Sequence, residues 1–169
     1  MTPGATASRT IRVRVNGREF ERTAEARKSL ADFLREDLDL TGAHVGCEHG
    51  VCGACTIVLD GAPVRSCLLL AVQADGCDVL TVEGLAPPGG LHALQEAFWA
   101  HHGLQCGFCT PGILMSAYAF LQDNPAPSET EIREMLAGNL CRCTGYEHIV
   151  DAIQAAAKLW GASRSGLER

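Results

Sequence analysis

GCEHGVCGACT, residues 46–56, crowds Cys47, Cys52 and Cys55 into one glycine-rich loop, and Cys67 completes the spacing C-x4-C-x2-C-x11-C. Plant-type [2Fe-2S] sites use this spacing, because four thiolates must surround two irons. Gly46, Gly50 and Gly53 let the backbone turn tightly and bring amide N–H groups towards the sulfurs, where they would stabilise negative charge. A structural zinc site also takes four thiolates, but its usual pattern is two separated short-spaced pairs. Cys47-Glu48-His49 has the form of half a Rieske site, yet Cys55 rather than a histidine follows Cys52, so His49 reads as a polar loop residue.

Upstream of this loop, Ile11, Val13 and Val15 alternate with arginines, and Asn16-Gly17 supplies a hairpin turn into Arg18 to Thr23. Leu30, Phe33, Leu34 and Leu38 then recur at helical spacing. Downstream, strand-like runs cover Thr56 to Leu59 and Val79 to Val82, with a return strand expected to supply Cys67. Strands around one helix make this part α+β. The composition changes at Glu83 to Gly90, EGLAPPGG, which reads as a linker. Beyond it Leu91, Leu94, Ala97 and Phe98 share a helical face, and Pro111 suits the first residue of a helix running through Leu121. Ser128 and Glu131 match a capping box, and Gly138 suits the end of that helix. Ile149, Ile153, Ala156, Ala157 and Trp160 stripe a last helix, after which Gly161 to Arg169 reads as a loose tail. The second part is therefore expected to be all-α with four helices.

A second constellation lies in that helical part: Cys106-Gly107-Phe108-Cys109 and Cys141-Arg142-Cys143. By itself C-x2-C with C-x-C is ambiguous between a cluster and zinc, while a thioredoxin-like pair would want a βαβ setting that the helical flanks do not give. Both pairs precede helices, so the positive helix N-termini could face an anionic group. Cys77 fits neither set and reads as a small half-buried residue. His44, His101 and His102 have no partners at metal spacing and read as solvated, whereas Phe98 and Trp99 read as core or interface. Glu36, Asp37 and Asp39 read as solvated helix-end charges rather than a catalytic pair.

Nine cysteines in 169 residues call for an explanation before other features do. The opening MTPGATASRT has no charged-then-apolar secretory pattern, so a reducing cytoplasm is expected, where clustered cysteines serve as ligands more often than as disulfides. The longest apolar runs, such as CLLLAVQA at 67–74, fall far short of the roughly 20 residues of a membrane-spanning helix. A net charge of -6 argues against a nucleic-acid partner. The chain has neither a P-loop nor a strand-anchored GxGxxG, so no substrate chemistry is expected from it alone.

Three segments, GCEHGVCGACT, LQCGFCTPG at 104–112 and NLCRCTGY at 139–146, together resemble the small iron–sulfur subunit of molybdenum hydroxylases. That group includes xanthine dehydrogenases, aldehyde oxidoreductases and aerobic carbon monoxide dehydrogenases. The resemblance covers nearly the whole chain. It implies a β-grasp, plant-ferredoxin-like domain over residues 9–84 followed by an all-α four-helix domain over 91–161. It also implies two [2Fe-2S] clusters, one on Cys47, Cys52, Cys55 and Cys67 and one on Cys106, Cys109, Cys141 and Cys143. The second would lie nearer molybdenum, with Gln105 and Cys143 close to the pterin. The implied partners are a large subunit with molybdopterin, often its cytosine dinucleotide form, and a medium subunit with FAD, in a heterotrimer or its dimer. The chain would relay electrons from molybdenum to flavin as part of an oxidoreductase. Ile113 stands where the resemblance leads one to expect methionine, and Cys77 is extra.

Overall fold

Asn16 and Gly17 both hold positive φ, 51° and 77°, which is the backbone a two-residue hairpin turn needs. They join β1 (Ser8–Val15) to β2 (Arg18–Glu25) in antiparallel register, with Val15 opposite Arg18. The expected alternation is realised: Ile11, Val13 and Val15 are buried, while the arginines between them face out. The computed structural model describes residues 7–165, in which β3 (Thr56–Leu59), β4 (Ala62–Arg65) and β5 (Asp78–Leu80) complete one mixed sheet. Its order is β2-β1-β5-β3-β4, with β1 and β5 parallel and the other pairs antiparallel.

Across this sheet lies α1 (Leu30–Asp32), capped by the Ser29 hydroxyl, which accepts from the Asp32 amide. It continues as a π-helical turn over Phe33–Asp37. The wider turn seats Phe33 and Leu34 together with Leu30 in the core, against Ile11, Val13, Ile57 and Val79. Two expectations are corrected at the sheet's end. The strand anticipated over 79–82 stops at Leu80, because Asn16 bridges Thr81: its Oδ1 accepts from the Thr81 amide and its Nδ2 donates to the hydroxyl. The chain then turns through a short 3₁₀ segment, Val82–Gly84. Cys67, in its turn, sits on the 3₁₀ turn Ser66–Leu68 just after β4 rather than on the strand itself.

Among the described residues four α-helices follow: α2 (Ala93–Ala100), α3 (Thr110–Asp123), α4 (Glu129–Leu136) and α5 (Glu147–Ser165). The capping box on α4 forms as its residues predict, with Ser128 Oγ accepting from the Glu131 amide and Glu131 reaching back to the Ser128 amide. Leu94, Phe98, Ile113, Leu121, Ile132, Ile149 and Ile153 form the helical core. Leu91, expected on that core face, precedes α2 and is exposed, whereas Leu85 of the linker is buried in the core. Helix α5 runs on through Ser165, so the tail expected to be loose from Gly161 begins as helix, and residues 166–169 lie outside the described residues. Helix α3 also reaches the sheet, where Met115 and Ala119 pack on Val58. The architecture is a ferredoxin-like half with a mixed sheet, followed by a helical half. No described helix is long and apolar enough to cross a membrane.

Phe33 is fully buried between α1 and the sheet. Phe33→Ala should therefore cost about 3–5 kcal/mol, read from the urea unfolding midpoint of the purified protein.

Candidate metal centres

The loop that carries Cys47, Cys52 and Cys55 is coiled by positive φ at Glu48, Gly50 and Gly53. The coil turns main-chain N–H groups onto sulfur: the Cys52 amide donates to Cys47 Sγ at 3.4 Å. Amides of Cys52, His49 and Val51 together lower the Cys47 thiol to about 6. Cys55 is buried, and Ser66 fixes its carbonyl, donating to it from both Oγ (2.8 Å) and N (3.3 Å). Burial raises Cys52, and burial followed by contact with Cys55 pushes Cys67 up to about 11. Gly46 leaves the room this packing needs, since a Cβ there would lie 3.1 Å from Cys52 Sγ.

In the helical half, Cys109 immediately precedes α3 and is buried, which pushes its thiol up to about 12. Cys141 is half-buried, but hydrogen bonds from the Thr144 hydroxyl and nearby amides outweigh burial and lower it. Cys106 and Cys143 are exposed, with their sulfurs 3.5 Å apart, well beyond a disulfide bond. The C-x-C turn is pinned by Tyr146, whose hydroxyl accepts from the Cys141 amide (2.7 Å) and donates to the Asn139 carbonyl (3.1 Å).

The eight thiols gather as two sets of four, Cys47, Cys52, Cys55 and Cys67 in one and Cys106, Cys109, Cys141 and Cys143 in the other, each thiol feeling others of its own set. Four thiols per set suit a dinuclear centre, in which each iron takes two thiolates. Thr110 adds a second sign of fit: its hydroxyl, next to Cys109, is buried without a partner among the described residues, as a donor would be if its acceptor belonged to a bound group.

The two loops also touch one another. The Leu140 amide donates to the Cys52 carbonyl at 2.9 Å, and Asn139 Nδ2 donates to the Gly53 carbonyl at 3.0 Å. Asn139 is buried, and its Oδ1 accepts from Ser116 Oγ at 2.9 Å. Arg65 reaches across from β4, donating to the Gly138 carbonyl (2.5 Å) and to Thr56 Oγ1 (2.6 Å). Helix α3 approaches the first loop so closely that a Cβ on Gly112 would lie 2.2 Å from the Gly53 oxygen.

The remaining residues singled out by the sequence divide. Gln105 is exposed beside Cys106. Cys77 belongs to neither set: it is half-buried just ahead of β5, its thiol raised by burial and by Asp60. Phe98 is core and Trp99 is 77% exposed. His101 and His102 are exposed as expected, but His44 is not simply solvated, since its ring stacks on Phe108. His49 hydrogen-bonds the Cys47 carbonyl within its own loop. Sequence reasoning missed Asn139, Tyr146 and Arg65. Asn139 and Tyr146 lie inside NLCRCTGY, but only the burial of Asn139 and the two hydrogen bonds of the Tyr146 hydroxyl distinguish them from loop polar residues, and Arg65 gave no signal at all.

Residues 13–81 match the 2Fe-2S iron-sulfur cluster binding domain, and residues 81–154 match the [2Fe-2S] binding domain. The chain is 58% identical over 154 residues to caffeine dehydrogenase subunit gamma of Pseudomonas sp. (strain CBB1), covering 89% of this chain and 92% of that subunit. It is 58% identical over 152 residues to the nicotine 6-hydroxylase small subunit of Paenarthrobacter nicotinovorans, covering 90% and 92% of the two chains. Among solved structures, quinoline 2-oxidoreductase from Pseudomonas putida 86 matches with a TM-score of 0.89 at 55% identity, over 92% of this chain and 97% of that one.

Asn139→Ala would leave the buried Ser116 hydroxyl without its acceptor, and the Gly53 carbonyl would keep its two Thr56 donors but lose the one from the helical half. The expected cost is about 1–3 kcal/mol for the unpaired hydroxyl, measured by equilibrium unfolding.

Proposed function

Since this chain belongs to the molybdenum hydroxylase family as a small iron–sulfur subunit, we propose that it relays electrons on two [2Fe-2S] clusters held by eight of its cysteines. Cys47, Cys52, Cys55 and Cys67 would hold the first, and Cys106, Cys109, Cys141 and Cys143 the second. The observation that carries this assignment is the gathering of the thiols into two sets of four. When bound, the clusters supply one-electron redox chemistry, which zinc cannot.

The chain's own part is to bind, insulate and space. Amide N–H groups aimed at Cys47 favour its thiolate, and the burial of Cys55 and Cys109 keeps water from one side of each centre. The 14-residue α3 directs its positive end at the second set. In this reading the ferredoxin-like part spans residues 9–84 as a β-grasp, and the helical part spans 91–161 as a four-helix domain.

A large subunit with molybdopterin in its cytosine dinucleotide form and a medium subunit with FAD would complete a heterotrimer or its dimer. Exposed Gln105 and Cys143 would face the pterin, and the second cluster would be the one nearer molybdenum. The cytoplasm is the compartment this reading favours, because clustered cysteines that serve as ligands rather than disulfides suit a reducing compartment. The relatives' names, which refer to caffeine, nicotine and quinoline, support nitrogen heterocycles as the substrate class of the assembled complex.

Purified protein should contain about four iron and four acid-labile sulfide per chain, and partial reduction should give two electron paramagnetic resonance signals. A colourless protein loaded with zinc would refute the assignment. Cys106→Ser should remove the second signal and halt turnover of the complex while leaving the first signal in place.

A further inference from the structure

Two loops bring thiols to the second centre, and they are fastened to the ferredoxin-like half in different ways. The C-x-C side is held by the Leu140 amide, Asn139 and Arg65. The CGFC side is held at Phe108, the residue directly before Cys109. His44 Nδ1 lies 2.8 Å from the Phe108 carbonyl oxygen, and since a carbonyl can only accept, this nitrogen carries the proton. The His44 and Phe108 rings stack, with centroids 5.0 Å apart and planes 23° from parallel. Against the same phenyl lies Gly46, where an added Cβ would come within 3.2 Å of Phe108 Cε1.

Phe108 remains 49% exposed, so burial in the helical core does not fix it. His44 and Gly46 hold it instead, and both lie just ahead of Cys47 in the chain. One side chain thus joins the thiols of both centres through short covalent segments.

We propose that His44 is a positioning residue that fixes Cys106 and Cys109 relative to the first centre and thereby sets the coupling between the two clusters. The proposal rests on the two-cluster reading above. Electron exchange between weakly coupled centres falls steeply with separation, so a loop that drifts slows the relay without losing its ligands.

The assembled complex carrying His44→Ala tests this beside His44→Asn, whose amide can replace the Nδ1 donor. His44→Ala should keep its iron and both cluster signals. It should lose the native magnetic splitting between the two reduced clusters, and freeze-quench sampling should show a longer lag between reduction of the second and first signals. Hydrogen exchange across residues 104–109 should quicken. His44→Asn should recover the splitting at least in part. Native splitting and lag in His44→Ala with both clusters present would overturn the proposal, as would no recovery in His44→Asn. Should His44→Ala fail to hold its clusters, Phe108→Leu decides. It keeps the carbonyl but lacks the stacking ring, so weakened splitting supports the proposal and native splitting overturns it. Failure to find two [2Fe-2S] signals in the unaltered protein would instead sink the reading beneath it.

Discussion

The carbonyl oxygen of Gly53 is the point on which the two halves of the chain converge. It accepts from the Thr56 amide and hydroxyl within its own half and from Asn139 Nδ2 of the other. Access to it depends on missing side chains: a Cβ at Gly112 would collide with it, and a Cβ at Gly53 would lie 2.3 Å from the Gly138 oxygen. Only bare backbone lets α3 and the C-x-C turn come this close. Because Gly53 separates Cys52 from Cys55, and Gly138 lies just ahead of Cys141, the same close approach brings the two thiol sets together.

Around that point the polar groups are satisfied rather than expelled. Asn139 and Ser116 are buried and bonded to one another, and Arg65 directs its charge at the Gly138 carbonyl of the helical half and the Thr56 hydroxyl of its own. A buried network of this kind specifies one docking geometry, because any slippage leaves several groups unpaired together. An apolar contact of equal area would tolerate sliding. For a chain whose task depends on the spacing between centres, the polar solution is the more exacting one.

The parts legible in the sequence are those set by neighbours a few residues away. Asn16-Gly17 dictates its hairpin, Ser128 and Glu131 their capping box, and the alternation at Ile11, Val13 and Val15 the buried face of β1. The crowding of Cys47, Cys52 and Cys55 is plain from spacing, because all three share one loop. The second set, split across α3 and α4, took its meaning from resemblance and takes its geometry from the fold. What could not be read depends on distant partners. The strand at residue 79 ends early because Asn16 takes the hydrogen-bonding groups of Thr81, and Asn139 is buried because a helical half lies on a ferredoxin-like one. The turn at Phe33 to Asp37 widens to a π-helix under a packing demand that helical periodicity does not distinguish from an ordinary turn.

The second centre is lopsided. Cys109 sits deep against α3, while Cys106 and Cys143 form an open lip. A cluster held there would be sheltered by protein on the α3 side and open to water and dioxygen at the lip. A neighbour seated over the lip would then serve as its lid against corrosion as much as its electrical contact.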